Sequence, residues 1–66
     1  MTDSDIYWTL AAAYQYGGGF YQALAQAGMK ADPINKQRIL TAFPELVEDY
    51  GINSKFHRSL RSGASS

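Results

Sequence analysis

The sequence predicts an all-α fold, because its apolar residues recur at alternating steps of four and three and no stretch alternates with period two. Its breaker residues support the same reading, since Asp32-Pro33, Pro44 and Gly51 stand between such stretches rather than inside them. With 66 residues the chain makes one domain at most, and a single core of this size supplies only about 3–5 kcal/mol of net stability. Chains this short are usually stapled by a disulfide, a metal or a partner. There is no cysteine, which removes disulfides and thiolate zinc sites together, and the lone His57 argues against a histidine metal site within one chain. No cofactor is implied. Self-association or docking on a partner is left as the staple.

Asp3 or Ser4 is the expected N-cap of the first helix. Beyond it run two adjacent stripes. One is Ile6, Leu10, Ala13, Gly17, Phe20, Leu24 and Ala27; the other is Tyr7, Ala11, Tyr14, Gly18, Tyr21, Ala25 and Gly28. Both have the seam spacing of a heptad-like helix. Gly17-Gly18-Gly19 interrupts the pattern and costs a helix about 3 kcal/mol relative to alanine, which argues for a break. The register of the stripes carries across the glycines, which argues for continuity. The expectation is therefore one long N-terminal helix, continuous or slightly kinked at the triplet.

Asp32 then serves as N-cap with Pro33 at the first position of a helix over Pro33–Ala42, whose inward residues are expected to be Ile34, Ile39, Leu40 and Phe43. Pro44 forces a break after Phe43. A short helix over residues 44–50 follows, with Leu46, Val47 and Tyr50 on its apolar side and Gly51 as its stop. Asn53 or Ser54 caps a last weak turn holding Phe56 and Leu60. The organisation expected is a single helical domain over residues 1–52 and a basic, Ser-rich flexible tail over 53–66, with the long helix packed on two shorter ones in a homo-oligomer.

Charge is unevenly spread. Six basic and six acidic residues cancel, so the chain lacks the footprint of a general nucleic-acid binder. Residues 6–29 carry no charge, and every Lys and Arg lies beyond them. An uncharged run of this length raises a membrane span, but Gln15, Gln22, Gln26 and four glycines fit lipid poorly. The basic start of a secretory signal is missing as well, so a cytoplasmic location is expected.

The candidate functional residues are Tyr7, Trp8, Tyr14, Gly17, Gly18, Gly19, Phe20 and Tyr21. Read plainly, Tyr7, Tyr14 and Tyr21 make an interface stripe in a homo-oligomer, because a phenol hides large area and keeps one polar atom. Trp8 caps that interface or anchors a foreign protein. The glycines permit close helix contact; the sharper alternative is a notch where rings stack on a nucleobase, worth about 1–3 kcal/mol per base. Glycine-rich stretches also cradle phosphate, but the Gly-Lys-Ser/Thr ending is absent. Glu45, Glu48 and Asp49 read as solvated carboxylates, His57 as a surface residue, and Lys55, Arg58 and Arg61 as a solvated basic tail. No catalytic constellation emerges, and an enzyme is not expected.

Tyr16-Gly17-Gly18-Gly19-Phe20, Ala23-Leu24-Ala25, Ala31-Asp32-Pro33 with Asn35 and Arg38, and Ala42-Phe43-Pro44-Glu45-Leu46 up to Tyr50 together resemble a group of short bacteriophage and prophage proteins of unknown function. The likeness spans residues 16–50 and transfers no ligand or catalytic residue. It implies a small phage accessory protein, of a kind that often inhibits host enzymes or host defence. The leading expectation is thus a non-catalytic homo-oligomer that binds and inhibits a host protein in the host cytoplasm. An oligomeric sponge for a signalling nucleotide is the first alternative, and a minor virion or membrane-associated protein the second.

Overall fold

The computed structural model describes residues 2–65, which form five α-helices and no strand. They are α1 (Asp3–Tyr16), α2 (Gly19–Lys30), α3 (Pro33–Ala42), α4 (Glu45–Tyr50) and α5 (Lys55–Ser65). The all-α class is as expected. The long N-terminal helix is not: the chain reverses at Gly17 and Gly18, and α1 and α2 form an antiparallel hairpin.

Both corner glycines are extended, Gly17 at φ −77°, ψ 161° and Gly18 at φ −72°, ψ −177°. The pairing of early with late residues shows the reversal directly. A Cβ on Gly28 would lie 3.0 Å from Leu10 Cδ2, a pair that a continuous helix would hold about 27 Å apart. The triplet's poor helix propensity therefore decides the geometry, and the preserved stripe register reflects two short helices that each face the same core.

Thr2, not Asp3 or Ser4, caps α1. Its hydroxyl accepts from the Asp5 N–H at 3.1 Å while the Asp5 carboxylate accepts from the Thr2 N–H at 3.0 Å, which closes a capping box. Asp32 and Pro33 start α3 as their chemistry dictates, the Asp32 carboxylate accepting from the Asn35 N–H at 2.7 Å. Pro44 separates α3 from α4, and Gly51 ends α4 with its N–H on the Val47 carbonyl.

The core gathers Leu10 and Ala13 of α1, Ala25 of α2, Leu40 of α3 and Leu46 of α4. Small residues at Ala12, Ala13, Ala25 and Gly28 let α1 and α2 approach closely. α4 and α5 both pack on α1, α4 also meets α2 through Tyr21, and α3 packs chiefly on α2.

Two further expectations change. Residues 55–65, expected within a flexible tail, form α5 and pack on α1; Ser66 lies outside the described residues. His57, expected at the surface, is 1% exposed, and its Nδ1 lies 3.1 Å from the Tyr50 carbonyl, so it caps an orphan oxygen at the end of α4. Its Nε2 has no hydrogen-bond partner among the described residues.

Candidate interaction surface

The eight candidate residues divide between two places. Tyr7 and Tyr14, one heptad apart on α1, are 55% and 41% exposed. Trp8 is half-buried, with the Tyr7 ring edge-on at 5.2 Å. Gly17, Gly18, Gly19, Phe20 and Tyr21 surround the hairpin corner. The tyrosine stripe is therefore not one column, because Tyr21 belongs to α2 and turns toward α4.

There its hydroxyl donates to Glu45 Oε1 at 3.3 Å. Burial first, and the negative charge of Glu45 second, push the Tyr21 phenol above its ordinary range.

Gly17 is not an open notch. A Cβ there would sit 2.5 Å from the Ala13 carbonyl oxygen and 3.4 Å from the Tyr50 hydroxyl, while Gly18 and Gly19 face open space. Of the three, only Gly17 serves close approach. Its neighbours join an aromatic chain in which Tyr16 stacks on Phe56 at 4.9 Å and Phe56 meets Tyr50 at 5.9 Å. Tyr50 meets Tyr21 at 6.4 Å, and Phe20 reaches both Tyr21 and Phe43. Much of the aromatic content thus packs against the chain's own later helices.

Two sets of side chains remain uncovered. On the hairpin, Tyr7, Tyr14 and Gln15 of α1 and Gln22 and Gln26 of α2 are exposed, with Ala11 partly so between the tyrosines. Gln22 and Gln26 lie on the far side of Ala25 from Tyr21, and Tyr7 and Tyr14 flank Leu10. The right-handed sense of both helices places them on one outer side of the hairpin, away from α4. The second set is on α3, where Ile34 is 74% exposed above a shallow apolar depression that it shares with Pro33, Gln37, Arg38, Thr41 and Ala42. Ile34 was expected to point inward. It lies six positions from the buried Leu40, about 120° round the helix, which is the signal that could have placed it outside.

The basic residues of α5 are partly engaged. Arg61 Nη1 donates to Asp5 Oδ1 at 3.1 Å, its Nη2 to the Ser4 hydroxyl at 3.2 Å, and Lys55 lies 5.4 Å over the Phe56 ring. The Thr2 N–H first, and the Arg61 guanidinium second, hold the Asp5 carboxyl at about 2. Among the described residues no three His, Asp or Glu side chains converge to hold a metal ion, and no helix is long and apolar enough to cross a membrane. Compared with known proteins, the chain matches no family model, no curated protein and no solved structure.

Proposed function

We propose that the chain is a small, non-catalytic binding protein that assembles with itself and occupies a protein of the host. One observation carries the reading: although Ile6, Leu24, Met29, Ile39, Phe43 and Val47 pack against the core, several equally large apolar side chains are left outside it. Among the described residues the buried hydrophobic core holds Leu10, Leu40 and Leu46 with three alanines, whereas Tyr7, Tyr14, Tyr16, Phe20, Ile34 and Ile52 are exposed. Exposed apolar side chains of this size on so small a chain mark surface available to a partner.

Glu48 and Asp49 are solvated on α4, and the one histidine is sealed against Tyr50. The likeness to short phage proteins supplies the setting, in which the target is a bacterial protein and the effect is inhibition, with a defence component as the natural candidate. A nucleotide sponge fits less well. The rings at the hairpin corner have Glu45 and Asp49 bearing on Tyr21, and such a field repels phosphate.

The test is affinity capture from bacterial lysate with the tagged chain and with Ile34→Asp and Phe20→Asp variants. A specific partner retained by the parent and lost with a variant of unchanged helicity and melting supports the reading. If every protein recovered is held equally by both variants, the exposed apolar residues are not a binding surface and the reading fails.

A further inference from the structure

We infer that the outer face of the α1–α2 hairpin is the seat of a second copy of this chain, joined by a twofold axis into an arrangement of four helices. The inference rests on the binding reading above and names the occupant of one of its two uncovered surfaces.

The argument is one of self-matching. A twofold axis brings a surface against a copy of itself, so any group at its centre meets its own kind. A cation there meets a cation, and a carboxylate meets a carboxylate. On this hairpin the difficulty does not arise, because residues 6–29 contain no ionisable Asp, Glu, Lys, Arg or His. What the face presents instead is Tyr7, Ala11, Tyr14, Gln15, Gln22 and Gln26. A phenol both donates and accepts, and a carboxamide does the same through separate atoms. Every polar group on the face can therefore be satisfied by a copy of the same face. Recognition of a foreign protein relies more on charge, which steers encounter and rejects wrong partners. The α3 face, with exposed Arg38 beside Ile34, has that character and the hairpin face has none.

Dimensions set the strength. The 14 residues of α1 span about 21 Å. With α2 alongside at about 8–10 Å, the face measures roughly 400 Å² in plan, below the area of about 800 Å² per partner of a standard stable interface. A weak dimer follows, largely dissociated at low micromolar concentration and forming toward the millimolar range.

Sedimentation equilibrium on the purified chain, from low micromolar to millimolar, reads this directly. The weight-average mass should climb from the monomer's 7.3 kDa toward twice that value. The double variant Tyr7→Lys/Tyr14→Lys should stay monomeric throughout while keeping the parent's helicity, since both side chains are exposed. The variant Tyr7→Glu/Tyr14→Glu should also stay monomeric alone, and the two mixed should form a heterodimer. A parent chain that is monomeric at every concentration overturns the inference, as does association that survives the double lysine variant. Because this uses pure protein, its failure leaves the capture experiment's outcome untouched, and a monomeric variant that still captures a target would separate the two surfaces.

Discussion

The two halves of the molecule solve the problem of a small core differently. In the α1–α2 hairpin the contact is made by backbone approach: Ala12, Ala13, Ala25 and Gly28 are small enough for the helices to meet closely, and Leu10 fills the seam. The C-terminal half has no such seam. Each of its helices has one buried anchor, Leu40 in α3, Leu46 in α4 and His57 in α5, with partly buried Ile39, Phe43, Val47 and Tyr50 around them and polar ties at the ends. Charge divides along the same line. The hairpin is neutral from residue 6 to residue 29, and every cation except Lys30 at the end of α2 lies beyond it. A seam of small residues needs no outer charges to hold it, so the hairpin's outside is left free of them. The later helices carry the solubilising charge and brace α1 from behind.

The strongest way to break the comparison is to remove an anchor. Leu46 is fully buried and carries α4 into the hairpin's core. Leu46→Ala should cost about 2–5 kcal/mol, which equals the whole stability of a chain this small. Circular dichroism at room temperature should then show a largely unfolded chain. A variant that keeps most of its helicity and melts cooperatively would show that the hairpin holds without α4 and that the C-terminal half is an accessory.

The next effect tests the corner. Gly17→Ala places a Cβ 2.5 Å from the Ala13 carbonyl and 2.8 Å from the Tyr21 Cβ, and backbone must shift to admit it. The φ of −77° is open to any residue, so the penalty comes from space alone. It should be about 1–3 kcal/mol, the usual range for overpacking. Were α1 and α2 one continuous helix, the same substitution would stabilise by about 1 kcal/mol. The sign of the change in melting temperature therefore distinguishes hairpin from rod.

That distinction was the point the sequence could not decide. Local chemistry was legible: Asp32 with Pro33 starts α3, Pro44 separates α3 from α4, and Gly51 ends α4, because each acts on backbone geometry within a few residues. Reversal at Gly17 was hidden because stripe register does not report direction. Leu10 and Gly28 occupy corresponding places in the seam whether their helices continue or fold back. The candidate site suffered by the same cause, since Tyr21 joins Tyr7 and Tyr14 in a column only on a continuous helix. His57 was hidden differently. Its flanking Lys55 and Arg58 suggested solvent, yet α5 turns these two charges away from the face that His57 and Leu60 share. Tyr7 and Tyr14, by contrast, were readable as interface residues, because a phenol hides large area while keeping one polar atom for a partner.

A smaller effect tests the tie between the halves. The Asp5 carboxylate closes the cap of α1 with one oxygen and holds Arg61 of α5 with the other. Its folded value of about 2 lies below the ordinary 3.8, so the unfolded chain takes up the proton first on acidification. The stabilisation from Asp5 is complete above about pH 4 and disappears as pH falls toward 2. Melting temperature followed from pH 7 to pH 2 should drop mainly in that window. Asp5→Asn should lower the melting temperature at pH 7 and remove most of the drop. An identical acid profile in the variant would mean that Asp5 does not join the halves.

The smallest effect sharpens the reading of the corner, because it asks for opposite outcomes at glycines two residues apart. Gly19 is the first residue of α2, and a Cβ there meets nothing within 4 Å. Alanine at such a site removes freedom from the unfolded chain without strain in the folded one. The gain should be about 0.4–1 kcal/mol. In a domain of this size 1 kcal/mol moves the melting temperature by about 4–8 °C, so Gly19→Ala should melt a few degrees above the parent while Gly17→Ala melts below it. Equal shifts of the same sign would mean that both glycines share one environment, which the hairpin does not provide. Opposite shifts would mean that one glycine is needed for the turn's close contact with Tyr21, and that its neighbour merely begins the next helix.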